Sequence, residues 1–187
     1  MSDLTELAVV IPTLNAAPHL AMTLAALPRV AHVIVVDGGS TDDTAQIAAD
    51  HGAHLVTAPP GRGRQLAAGA ATAASPWLLF LHADTQLDAA AWAAARRHLA
   101  EPAGPDRAGV FHLRLDDPAW PARILEIGVK LRVAALALPY GDQGLLISRR
   151  LYDAVGGFAP LPLMEDVDLV RRLGRGRLTS LRGTANT

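Results

Sequence analysis

The chain has 187 residues, half of them hydrophobic, and a formal net charge of −1. That length fits one α/β domain with a sizeable buried core, and the charge argues against a nucleic-acid binder, which would carry a basic stripe. No cysteine is present, which excludes disulfides, thiolate metal sites and cysteine nucleophiles.

Met1 to Leu7 carries acids and lacks the apolar core of a signal peptide. No uncharged apolar run reaches about 18 residues, so no membrane span is expected, and a cytoplasmic location follows by default. Lys130 is the only lysine; the other basic residues are arginines.

Taken in chain order, the first half alternates strand and helix. Leu7 to Ile11 is a short apolar strand ended by Pro12, and Ala17 to Leu27 reads as a helix. The β-branched run His32 to Val36 ends at Asp37 and Gly38-Gly39, followed by a helix over Asp42 to Asp50. Ala53 to Thr57 is a third strand, closed by Pro59-Pro60-Gly61, and Gly63 to Ala74 a third helix. Trp77 to Leu81 is a fourth strand ended by His82-Ala83-Asp84, and Asp88 to Ala100 is a helix. Continuous apolar strands separated by helices of about ten residues imply a parallel sheet covered on both faces.

Gly104-Pro105 marks a break between two halves of one domain. Beyond it, Val110 to Leu115 alternates as a half-buried strand, Ala119 to Leu138 is apolar and helical, Gly144 to Ser148 is a strand, and Glu165 to Leu173 is a helix that begins with acids. Arg123, Glu126, Lys130 and Arg132 interrupt the apolar helix. It is expected to pack on the sheet or on a second copy in a homodimer, with at most peripheral membrane contact.

A doubly covered parallel sheet binds ligands at the carboxyl ends of its strands. Asp37 ends the second strand, where a carboxylate can accept from ribose or base, and Gly38 allows close backbone approach. Asp42 and Asp43 read as helix-dipole partners, with Ser40 or Thr41 as the cap. The first strand leads into Pro12-Thr13-Leu14-Asn15 without glycine, so the Gly-x-Gly-x-x-Gly needed for a dinucleotide is absent. Pro12, Thr13 and Asn15 are candidates for the nucleotide side; Thr13 and Asn15 can hydrogen-bond a nucleobase or ribose, or cap the following helix.

Asp84 ends the fourth strand, where an oxygen ligand near a diphosphate suits Mg²⁺ or Mn²⁺. Alternation places His82 on the same side; a ligating imidazole there would favour Mn²⁺, and a hydrogen-bonded half-buried histidine is the structural alternative. Arg62 and Arg64, in Pro-Pro-Gly-Arg-Gly-Arg-Gln, are candidate diphosphate ligands at a helix start. Glu165 and Asp166 are candidates for a general base beside an acceptor hydroxyl, while Asp168 is expected to pair with Arg171 or Arg172. Tyr140, Gly141, Asp142 and Gln143 form a polar turn that binds substrate or merely turns.

Together these pieces resemble the family 2 glycosyltransferases. The ordered match is Val-Val-Ile-Pro-Thr-Leu-Asn (9–15), Val-Val-Asp-Gly-Gly-Ser-Thr-Asp-Asp-Thr (35–44), Leu-Phe-Leu-His-Ala-Asp-Thr (79–85), Gly-Gly-Phe (156–158) and Met-Glu-Asp-Val-Asp-Leu (164–169). Gly-Arg-Gly-Arg-Gln (61–65) with Tyr-Gly-Asp-Gln-Gly (140–144) is closer to one bacterial subgroup associated with radical-SAM and selenium-related gene neighbourhoods.

The resemblance implies a GT-A fold: a Rossmann-like, mostly parallel sheet with helices on both faces and a small antiparallel addition in the second half. It implies one domain over 1–187, with a nucleotide-binding half to about 103 and an acceptor half from about 104. It implies an inverting transfer of the hexosyltransferase type from a nucleoside-diphosphate sugar, UDP-linked first and GDP-linked second, with Mn²⁺ or Mg²⁺. Asp37 would contact the nucleoside, Asp84 the metal, Asp166 would be the base, and Asp142 and Gln143 would line the donor-sugar or acceptor side. His82 stands where the family commonly has a first Asp, and the usual Gln-x-x-Arg-Trp is absent, with a further C-terminal segment expected. The reading fails if Asp37 and Asp84 point away from any shared cleft. A nucleotidyltransferase lacks support because Pro12 to Ala17 holds no Gly-rich, Lys-containing loop; a non-catalytic nucleotide-binding scaffold is the remaining alternative.

Overall fold

The computed structural model describes residues 4–114, 143–161 and 163–187. The apolar segment over 119–138 and the residues Tyr140, Gly141 and Asp142 lie outside the described residues.

The chain runs β1 (Leu7–Thr13), α1 (Ala17–Ala25), β2 (His32–Asp37), α2 (Thr44–Asp50), β3 (His54–Thr57), α3 (Arg62–Thr72), β4 (Trp77–Phe80), β5 (Gln86–Leu87), α4 (Ala89–Ala100), β6 (Ala108–Arg114), β7 (Leu145–Ser148), α5 (Arg149–Ala154), α6 (Glu165–Leu173) and β8 (Leu178–Asn186). The strands form one sheet in the order β3-β2-β1-β4-β7-β6-β8-β5. β1 pairs in parallel with β2 and β4, and β2 with β3. β7 joins antiparallel to β4 and β6, β8 runs parallel to β6, and β5 closes the far edge antiparallel to β8. Strands from both sides of the Gly104 break therefore share a single sheet.

β1 explains why the sheet is covered on both faces. Its side chains alternate: Leu7, Val9 and Ile11 face a core shared with Leu20 and Leu24 of α1 and Trp92 of α4. Ala8 and Val10 face the other core, with Leu66 of α3, Leu151 of α5 and Leu169 of α6. β6 differs from the expected half-buried strand: all of it but His112 and Arg114 is buried, because β7 and β8 flank it and α4 packs nearby. α2 begins at Thr44, and Asp42 rather than Ser40 or Thr41 engages its start, accepting from the backbone amides of Thr44 and Ala17.

Besides the two-residue β5, two elements are absent from the sequence expectation. α5 follows β7 without a break, with Ser148 as cap accepting from the amide of Leu151. β8 has only Leu181 and Ala185 buried, so its polar sequence hides a strand whose order comes from pairing with β6.

Candidate active site

The carboxyl ends of β1 and β4, with the start of α3, enclose an open cleft of about 460 Å³ lined by Pro12, Thr13, Asn15, Arg62, Gln65, His82 and Asp84 among others. Six residues expected to bind a nucleotide or metal, far apart in sequence, thus line one space. The physical reason is the parallel arrangement: three strands end on the same side, and the turns leaving them must converge there.

Each wall has its own support. Asn15 adopts a left-handed backbone (φ 51°). Its amide donates to Ser40 Oγ at 2.8 Å, and its Oδ1 accepts from the Thr41 amide at 2.9 Å, tying the β1 turn to the β2 turn. The Thr23 hydroxyl of α1 donates to the Ala83 carbonyl at 2.8 Å, fixing the His82-Ala83-Asp84 turn from below.

Asp37, expected at the nucleoside, stands behind the cleft wall and is bonded to the lining Thr13. It is not among the cleft-lining residues, and the residue is only 7% exposed. Its Oδ2 accepts from the amides of Gly39 and Ser40, and its Oδ1 from the Thr13 and Ser40 hydroxyls. Burial raises its pKa, but the bonds from Ser40, Gly39 and Thr13 outweigh it and hold the carboxyl below the ordinary value. The shared cleft is therefore reached by Asp84 directly and by Asp37 only from behind Thr13. Gly38 likewise serves packing: a Cβ there would meet Gln65 Nε2 at 3.0 Å.

Gln65 was given no role by sequence reasoning. It is buried, and its Nε2 donates to the carbonyls of Thr13 at 2.7 Å and Val36 at 2.9 Å. Its place in Gly-Arg-Gly-Arg-Gln was the only signal available.

Arg62 and Arg64 separate. One residue apart on α3 they point to different sides: Arg62 lines the cleft, whereas Arg64 lines a distinct hollow with Pro60, Gly61, Pro160 and Leu161. Arg62 also pairs with both acids of α6, its Nε 2.9 Å from Glu165 Oε1 and a terminal nitrogen 3.8 Å from Asp166 Oδ2. Glu165 is 3% exposed, so it is enclosed with the guanidinium rather than presented to a substrate. Asp166 lines a small apolar pocket with Arg62, His82, Phe80 and Phe158. Asp168 pairs with Arg172 at 2.6 Å, as expected from their four-residue spacing.

His82 stands between these groups. Its Nε2 is buried without a hydrogen-bond partner among the described residues. Burial foremost, then the Arg62 cation, pushes its pKa down to about 4 against the opposing pull of Asp84 and Asp166. The imidazole is therefore neutral at neutral pH, the form that donates a lone pair to a metal or accepts from a hydroxyl. Asp84 is exposed at the cleft. Among the described residues no three His, Asp or Glu side chains cluster as a metal site.

Gln143, expected on the donor-sugar or acceptor side, is 2% exposed, and its Nε2 donates to the Phe111 carbonyl at 3.1 Å, which ties the approach to β7 onto β6.

A model of glycosyl transferase family 2 matches residues 8–106. An uncharacterized glycosyltransferase of Mycobacterium tuberculosis is 45% identical over 82 residues, which are 43% of this chain and 38% of that relative; a Mycobacterium bovis relative matches equally. The matched segment thus spans well under half of these relatives. Three solved structures share the fold. A mannosyltransferase of Pyrobaculum calidifontis, in complex with GDP-Man and Mn²⁺, superposes with a TM-score of 0.73 at 21% identity, covering 100% of this chain and 59% of that one. Glucosyl-3-phosphoglycerate synthase of M. tuberculosis, in complex with Mn²⁺, UDP and glucosyl-3-phosphoglycerate, gives 0.64 at 23%, covering 95% and 70%. S. aureus TarS in complex with UDP gives 0.69 at 17%, covering 97% and 60%.

Proposed function

The chain belongs to glycosyl transferase family 2, and from that premise we propose that it moves a sugar from a nucleoside-diphosphate donor to an acceptor hydroxyl with inversion at the anomeric carbon. The supporting observation is the convergence of Pro12, Thr13, Asn15, Arg62, His82 and Asp84 on one cleft, with Asp166 next to it across Arg62. The structural relatives bound to UDP or GDP-Man support a UDP- or GDP-linked donor, UDP first.

In this reading Thr13 and Asn15 bound the nucleoside, and Arg62 meets the diphosphate. Asp84 and His82 are the residues that would hold Mn²⁺ or Mg²⁺. They fit a divalent cation because one supplies an exposed carboxylate and the other a neutral imidazole with an unused, buried nitrogen. A cation there would offset the negative charge left on the departing diphosphate. Asp166 takes the proton of the acceptor hydroxyl as its oxygen bonds to the anomeric carbon. The bond from that carbon to the phosphate oxygen breaks, and the nucleoside diphosphate leaves with the electron pair. Glu165, enclosed with Arg62, is not the base.

We extend the proposal to one domain over 1–187 and to the bacterial subgroup associated with radical-SAM and selenium-related gene neighbourhoods, on the strength of residues 61–65 and 140–144. No helix among the described residues is long and apolar enough to cross a membrane. The test is product analysis with UDP- and GDP-sugars, a panel of hydroxyl acceptors and Mn²⁺. Released nucleoside diphosphate with a glycosylated product supports glycosyl transfer. Released pyrophosphate would mean nucleotidyl transfer, and nucleotide binding without any product would mean a scaffold.

A further inference from the structure

The Arg62–Glu165 pair joins the donor cleft to the base, and its two contacts differ in kind. The Nε contact to Glu165 is close, at 2.9 Å, and its carboxylate is enclosed. The contact to Asp166 is loose, at 3.8 Å, and comes from a terminal nitrogen. Arg62 keeps 38% of its side chain exposed and lines both the cleft and the small apolar pocket beside Asp166. Guanidinium geometry permits this division: Nε can stay on one carboxylate while the terminal nitrogens change partner.

The backbone is arranged for the same contact. Gly63 follows Arg62, and a Cβ there would lie 2.4 Å from the Ala159 carbonyl oxygen and 3.1 Å from Glu165 Cβ. Only the missing side chain lets the start of α3 come this close to the start of α6. Met164, immediately before Glu165, holds a left-handed conformation (φ 64°), which in a non-glycine residue costs energy and persists where surrounding structure imposes it.

We propose that Glu165 is a positioning residue: it anchors Arg62 through Nε so that the terminal nitrogens, only loosely held by Asp166, turn to the donor diphosphate when it enters the cleft. This rests on the glycosyltransferase reading above. With the cleft empty, the Arg62 cation stays close to the Asp166 carboxylate. With a diphosphate in the cleft, the stronger anion draws the fork away while Glu165 keeps it from swinging out to solvent.

The experiment is calorimetric titration of the whole chain with UDP and with GDP, each with Mn²⁺, for the wild type, Glu165→Gln, Arg62→Gln and the double variant. Glu165→Gln should weaken binding roughly tenfold, the worth of one close, enclosed ion-pair contact. The double variant should bind no worse than Arg62→Gln alone, because Glu165 acts through Arg62; a purely structural role would make the two losses add. Arg62→Lys, at a half-exposed position that tolerates change, should reproduce the weakening, since a point charge cannot hold Glu165 and phosphate together. Unchanged affinity in Glu165→Gln, or additive losses in the double variant, overturns the inference while leaving glycosyl transfer intact. A wild type that binds neither nucleotide overturns the function and this inference together.

Discussion

The side-chain amide of Gln65 donates to the backbone carbonyl of Thr13 at 2.7 Å, fastening α3 to the last residue of β1 at the cleft wall. The same nitrogen reaches the Val36 carbonyl at 2.9 Å, so one buried group holds a helix against two strand ends. Gln65→Leu removes those donors from buried carbonyls and should cost about 1–3 kcal/mol of stability. Denaturant unfolding measures it, and a midpoint equal to the wild type's would refute the tether.

Gly63 predicts a second stability effect with an internal control. Gly63→Ala drives a methyl into the Ala159 carbonyl oxygen, 2.4 Å away, and should destabilise by about 1–3 kcal/mol. Gly176→Ala meets nothing within 4 Å and should stay within about 0.5 kcal/mol of the wild type. Thermal melts of the two variants side by side decide it; equal losses would remove the case for close approach at Gly63.

Asp84 is exposed, so its removal should leave folding unchanged while abolishing ligand-linked stabilisation. In the wild type, UDP or GDP with Mn²⁺ at about a hundred times the dissociation constant should add about 2.7 kcal/mol of apparent stability. Asp84→Asn should show none of the Mn²⁺-dependent part in a thermal-shift assay. A full Mn²⁺-dependent shift in that variant would take the metal site away from Asp84.

For Asp166, substitution by Asn keeps the shape and removes the proton acceptor. Turnover should drop on the order of a hundredfold or more, with nucleotide affinity retained within severalfold. Steady-state kinetics beside calorimetry separates the two quantities, and near-normal kcat would mean that another group takes the proton.

The pH dependence of stability follows from His82. Its folded pKa of about 4 lies below the ordinary 6.5. As the pH falls through 6.5 the unfolded chain takes up a proton and the folded chain does not, so stability is full above 6.5 and declines toward pH 4. The decline due to His82 is about 3 kcal/mol, and His82→Asn should remove that part of the slope. His98, also held down first by burial, keeps the remainder. Unfolding curves between pH 4 and 7 that are identical for wild type and variant would dissociate the slope from His82.

The sequence alone determined the parallel sheet and where to look on it. Runs such as Leu7 to Ile11 and Trp77 to Leu81 are apolar without interruption because both of their faces are buried, a property of each strand by itself. The residues that leave those strands, Pro12, Thr13, Asn15, His82 and Asp84, were legible for the same reason: their position at a strand end needs no partner to be recognised. Tertiary structure decided what partners decide. Asp37 and Gln143 are polar side chains like Asp84, but hydrogen bonds from Thr13, Gly39 and Ser40 to the one, and from the other to Phe111, hold them inside. Glu165 and Asp166 are adjacent in sequence and differ in surroundings because Arg62, a hundred residues earlier, pairs closely with the enclosed one and leaves the other at a pocket wall. β8 became a strand by pairing with β6, which no local periodicity records. Burial and pairing are properties of two chain segments at once, and a linear sequence specifies them only through the fold.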